Sequence, residues 1–92
     1  MSRLRRLDID DLRILRGLSA GMVLVQIAKL NFVTQPAITQ RLRKMEFVFG
    51  GKALVVKGGR SLSLTEHGKA AAAIACEALA ILEAFMVEVK RV

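Results

Sequence analysis

Cysteine and proline occur once each in this 92-residue chain, acidic residues number eight, and long apolar runs are missing. Each shortage excludes a class of protein. The lone Cys76 has no partner for an internal disulfide and is too little for a cysteine-based zinc site, which fits a reducing compartment. The longest unbroken apolar stretch is the seven residues from Ala70 to Cys76, against the ~20 that cross a bilayer, so no membrane association is expected. Charges break up every apolar segment near the N-terminus, which argues against a signal peptide and for a cytoplasmic protein. Catalytic sets are missing as well: there is no Ser/His/Asp constellation, no paired carboxylate site, and Gly50-Gly51-Lys52 lacks the upstream glycine of a phosphate loop. His67 reads as a surface or partly packed residue and Cys76 as a small packing residue. No enzyme activity, metal or cofactor is expected.

What is present is apolar and basic. Hydrophobic residues make up 53% of the chain, enough for one small core and against disorder. Fifteen Lys/Arg give a net charge of +7, and that charge is uneven. Residues 1–65 hold 12 basic and four acidic side chains, whereas 66–92 hold three and four. A positive head on a near-neutral tail points to a polyanion meeting the head alone.

With only Pro36 and seven glycines as breaks, and no internal repeat, the pattern is mainly helical. Asp8 caps a first helix, with Asp10 and Asp11 in the favourable first turn and Ile9, Leu12, Leu15 and Leu18 as its apolar stripe, ending near Ala20 or Gly21. A short second helix runs from about Leu24 to Leu30, with Ile27 and Leu30 inward, and Asn31 takes the left-handed turn. Thr34 caps a third helix over about 35–49, where Pro36 costs no hydrogen bond. Ile38, Leu42, Met45 and Phe49 share its inner face; Pro36, Thr39, Gln40 and Arg43 lie opposite, and Arg41 and Lys44 flank them as diffuse phosphate attractors. Two short strand-like runs, 53–56 and 61–64, flank Lys57-Gly58-Gly59-Arg60, a hairpin with a basic tip.

Thr65 caps a last, alanine-rich helix. Its 25 residues to Lys90 extend ~37 Å, more than the core of a 65-residue head can cover. Ile74, Ala78, Ile81, Phe85 and Val92 follow steps of 4, 3, 4 and 7, widened by Leu82 and Val89, a heptad-like seam that calls for a partner. The order of elements is that of a winged helix-turn-helix: a three-helix head with a two-stranded β-wing over residues 1–65, then a dimerisation helix over 66–92. In such an arrangement the outer face of the third helix meets the major groove of double-stranded DNA. Gln35 and Gln40 suit adenine, Arg43 suits guanine or phosphate, and Lys57 and Arg60 suit the backbone or minor groove. Arg3, Arg5 and Arg6 could form a minor-groove arm, though short basic termini more often stay loose. A homodimer with heads ~37 Å apart roughly matches the ~34–36 Å between successive major-groove faces.

The run VTQPAITQRLRKME, Val33 to Glu46, resembles the helix-turn-helix of LysR-type transcriptional regulators, and SLSLTEHGKA, Ser61 to Ala70, is similar to their wing strand and linker-helix start. The resemblance covers about residues 7–85. It implies operator binding as a dimer joined by antiparallel linker helices, with contacts from Gln35, Pro36, Thr39, Gln40 and the wing near Lys57 and Arg60. Thr34, at the start of the same helix, joins the expected DNA-contacting set, and the seam read from spacing, Ile74, Ala78, Ile81, Leu82, Phe85 and Val89, is the expected dimer interface. Several features depart from the family, among them a wing turn one residue longer at Gly58-Gly59 and Val55-Val56 in place of a more polar pair. Val23-Leu24-Val25 stands where a polar cap is usual, and Gln40 stands where arginine is common. The family's ligand-sensing domain is not within these residues, so no small-molecule effector is expected. Two alternatives stand beside this reading: an interaction protein that heterodimerises through its last helix with a full-length regulator, and a winged-helix domain like that of the molybdate-responsive, ModE-like regulators.

Overall fold

The computed structural model describes residues 7–58 and 61–92. Its elements run α1 (Ile9–Ser19), α2 (Leu24–Leu30), α3 (Gln35–Val48), β1 (Val55–Gly58), β2 (Ser61–Leu64) and α4 (Glu66–Arg91). Local chemistry sets most boundaries. Asp8 accepts the Asp11 N–H at 3.0 Å while the Asp11 carboxylate accepts the Asp8 N–H at 3.1 Å, a reciprocal cap that starts α1. Thr34 accepts the Ala37 N–H and Thr65 the Gly68 N–H, starting α3 and α4 in the same way. The start of α2 differs: Val23 has no side-chain acceptor, and the Gln26 amide oxygen accepts the Val23 N–H at 3.2 Å.

The core gathers Ile14 and Leu15 of α1, Ile27 of α2, Ile38 and Met45 of α3, and Leu54 just before β1. Three details correct the sequence-based expectation. The inward stripe of α1 is Asp11, Ile14, Leu15 and Leu18, at steps of 3, 1 and 3, so Ile9 is turned out at 46% exposure. In α2 the inward pair is Ile27 and Ala28, and Leu30 points away from the core. The left-handed turn belongs to Phe32 (φ 56°), not Asn31. Asn31 stays right-handed because its backbone N–H and its side-chain amide both donate to the Ile27 carbonyl, at 3.1 and 2.8 Å.

The wing is a two-stranded antiparallel sheet in register Val55↔Leu64, Val56↔Ser63, Lys57↔Leu62 and Gly58↔Ser61. Its base is tied down. Glu46 at the end of α3 accepts the Leu54 N–H at 2.9 Å, the Thr65 N–H donates to the Leu54 carbonyl at 3.0 Å, and the Thr65 hydroxyl donates to the Ala53 carbonyl at 2.6 Å. The first half of α4 lies along α1 and buries Gly68, Ala72, Ala75 and Leu79; the small residues at three of these four positions let the two helices approach. Arg16 reaches Glu83 at 3.3 Å further along. From residue 80 onward every residue of α4 is exposed. By length and composition this helix is apolar enough to cross a membrane. Glu77 and Glu83 split the sequence into short apolar runs without ending the helix, so run length understates how apolar it is.

Gly68 marks the tightest approach. A Cβ there would sit 2.0 Å from the Leu54 carbonyl oxygen, a backbone atom that cannot swing aside. Gly68→Ala is expected to lower unfolding stability by about 3 kcal/mol, read as a drop in the urea midpoint at unchanged slope.

Candidate nucleic-acid interface

The orientation of α3 determines which side chains can meet a ligand. Its inner face is fixed by burial of Ile38, Leu42 and Met45, with Phe49 half-buried at the C-cap. A second restraint is ionic. Asp11, fully buried, takes Arg41 at 3.1 Å on one carboxylate oxygen and Lys44 on the other, and Arg41 also reaches both Asp8 oxygens at 3.1 Å. Arg41 and Lys44 therefore lock α3 to α1. Expected from the sequence as diffuse phosphate attractors, both side chains are paired here, and the carboxylates of Asp11 and Asp8 together offset their charge.

With that face committed, the rest of α3 turns outward. Gln35, Pro36, Gln40 and Arg43 are exposed and Thr39 is half-buried, its hydroxyl donating to the Gln35 carbonyl at 3.4 Å. Gln35, Pro36, Thr39, Gln40 and Arg43 line one shallow, open depression. The sequence pattern puts Pro36, Thr39, Gln40 and Arg43 on one face and names Gln35 separately as a base contact; the structure brings all five together. It adds one residue the pattern did not assign, Leu24 from the start of α2. Thr34 is exposed at the helix start but spends its hydroxyl on the cap. Arg43 and Lys57 form no ion pair with any described residue, so both cations are open to a ligand. Lys57 lies within β1, exposed, opposite Leu62, rather than in the turn. Arg60 and the N-terminal Arg3, Arg5 and Arg6 fall outside the described residues.

The seam residues divide by position. Ile74, Ile81, Phe85 and Val89 are more than half exposed, Leu82 is 37% exposed and Ala78 is half-buried. Beside the first half of α4 runs an almost wholly apolar groove lined by Leu7, Leu12, Phe49, His67, Ile74 and Ala78, among others. The half-buried His67 contributes to it, and its Nε2 has no hydrogen-bond partner among the described residues. Among the described residues, no group of three His, Cys, Asp or Glu side chains could hold a metal ion.

No family model and no curated protein matches the sequence. Solved structures do match. Full-length OxyR C199D from Pseudomonas aeruginosa superposes with a TM-score of 0.81 at 19% identity, over 92% of this chain and 28% of that one. Vibrio fischeri DarR, solved in complex with DNA, gives 0.78 at 27% identity, over 92% of this chain and 29% of that one. The CbnR DNA-binding domain in its DNA complex gives 0.79 at 21% identity, over 92% of this chain and 97% of that one. The fold is thus a winged helix-turn-helix with a long C-terminal helix. Its structural neighbours are the DNA-binding domains of LysR-type regulators. The chain spans little more than a quarter of the full-length OxyR that it matches.

The ion cluster gives the fold a pH dependence. Burial disfavours the charged form of Asp8, but the Asp11 N–H and the Arg41 guanidinium outweigh it and hold its carboxyl below the ordinary carboxylate range. The Asp8 hydrogen bonds in turn raise Arg41. Because folding favours charged Asp8, the pair contributes fully above about pH 4 and fades as pH falls through the lowered folded value. Asp8→Asn keeps a capping oxygen while removing the charge. It is expected to be less stable than the parent at pH 7 and to match it near pH 2, as measured by urea unfolding at each pH.

Proposed function

We propose that the chain is a cytoplasmic, sequence-specific DNA-binding transcriptional regulator, or the DNA-binding part of one. In this reading residues 35–49 enter the major groove, with Gln35, Pro36, Thr39, Gln40 and Arg43 facing base edges and nearby phosphates. Thr34 at the helix start meets the backbone, and the basic wing at 57–60 lies on the backbone or in the minor groove. One observation carries the proposal: four polar residues and Pro36 of α3 share one open depression, on a helix whose opposite face is held both by packing and by ion pairs to the buried Asp11. The DNA complexes of DarR and CbnR, which share the fold, support it. Equilibrium titration against a selected duplex and a scrambled one tests the reading. The selected duplex is expected to bind ~10³-fold or more tighter, with affinity falling steeply as salt rises. Gln40→Ala should narrow the gap between the two duplexes, while Lys57→Ala should weaken both alike. Equal, weak binding to both duplexes would refute base readout.

The same reading makes the protein a homodimer through Ile74, Ala78, Ile81, Leu82, Phe85 and Val89. Two observations support this: the end of α4 offers its apolar stripe to solvent, and the groove beside its beginning is apolar and open. An antiparallel second copy would bring the exposed half of one helix over the grooved half of the other, burying both. Phe85→Glu is expected to remove about 2 kcal/mol per subunit of apolar burial and to give a monomer by light scattering at micromolar concentration. A parent protein that is monomeric alone and pairs only with a full-length regulator would instead favour the heterodimer.

A further inference from the structure

Base readout by α3 leaves one side chain of its depression without a role. Leu24, the first residue of α2, is half-buried and lines that depression with Gln35, Pro36, Thr39, Gln40 and Arg43. The concavity therefore has two chemically different sides. Amide and guanidinium groups carry the polar side, and the hydrocarbon of Leu24 and Pro36 carries the other. The neighbourhood of Leu24 is apolar too: Val23 is 50% and Val25 44% exposed. The one polar side chain of that first turn, Gln26, accepts the Val23 N–H with its amide oxygen. The Leu24 side chain itself offers a phosphate neither charge nor a hydrogen-bond donor; at this helix start only the backbone N–H groups could serve one.

Base edges in the major groove present hydrogen-bond donors and acceptors with one apolar exception, the methyl on C5 of thymine. Cytosine methylated at C5 carries the same group. Resting on the reading that α3 enters the major groove, we infer that Leu24, backed by Pro36, is a specificity-determining contact for a pyrimidine 5-methyl group. The polar side of the depression takes the hydrogen-bonding edges next to it. Burying one methyl group changes affinity about fourfold. That is a modest preference at one position, set by a residue of α2.

The test starts from a duplex chosen by unbiased selection with the parent protein. Thymines are replaced singly by deoxyuridine, which deletes only the methyl group. One position per half-site is expected to lose about fourfold in affinity with the parent protein. With Leu24→Ala that loss should disappear, and with Gln40→Ala it should persist. Because Leu24 also packs against the core, Pro36→Ala, at an exposed position, serves as the second variant; it should shrink the same loss, with circular dichroism confirming an intact fold for each protein. Placing a C·G pair at that position and methylating the cytosine separates the two sources. A fourfold gain assigns the contact to the methyl group in either base, and no gain assigns it to thymine alone. A deoxyuridine pattern identical in the parent and both variants overturns the inference while leaving readout by α3 standing. A protein with no duplex preference overturns both.

Discussion

A single carboxylate sealed from water governs the geometry of the head. Asp11 belongs to the inward stripe of α1, where a leucine would ordinarily sit, and an unpaired charge there would be prohibitively costly. Arg41 and Lys44, one helical turn apart on α3, supply the two cations that make it tolerable. Apolar packing alone lets a helix rotate by several degrees at little cost. A carboxylate with a cation on each oxygen does not, because any roll of α3 lengthens one of the contacts. The outward set from Gln35 to Arg43 is thus placed by residues on the same helix that never reach the surface depression themselves.

Around this fixed pair, the remaining elements are held by short-range backbone ties. Leu54 is the hub: its side chain is buried, its N–H is held by Glu46, and its carbonyl receives Thr65 and crowds Gly68. Through one residue the end of α3, the foot of the wing and the start of α4 share a common anchor. Lys57 is consequently presented from a strand of fixed register, and not from a loose turn.

Most of the element plan is legible in the sequence because it rests on local chemistry. A side-chain oxygen at Asp8, Thr34 or Thr65 captures an N–H three residues ahead, whatever the rest of the chain does. The outward face of α3 is legible for a related reason: apolar spacing from Ile38 to Met45 defines its complement. The failures are tertiary. The helix dipole accounts for Asp11 in the first turn but not for its burial, which only the arrival of α3 over α1 explains; its spacing from Ile14, Leu15 and Leu18 is the clue in the sequence. Leu24 joins the depression from a different helix, a juxtaposition that no periodicity along either segment encodes. Reading apolar runs residue by residue likewise hid how greasy α4 is as a continuous cylinder.

That cylinder contains no glycine or proline after Gly68, and its root is clamped between α1 and the Leu54 anchor. It therefore leaves the head as a stiff lever without a joint. Any torque applied near Phe85, by whatever grips the tip, arrives at the head as a rigid rotation rather than being absorbed along the way. The angle at which the tip is held would then dictate the direction in which the depression on α3 is aimed.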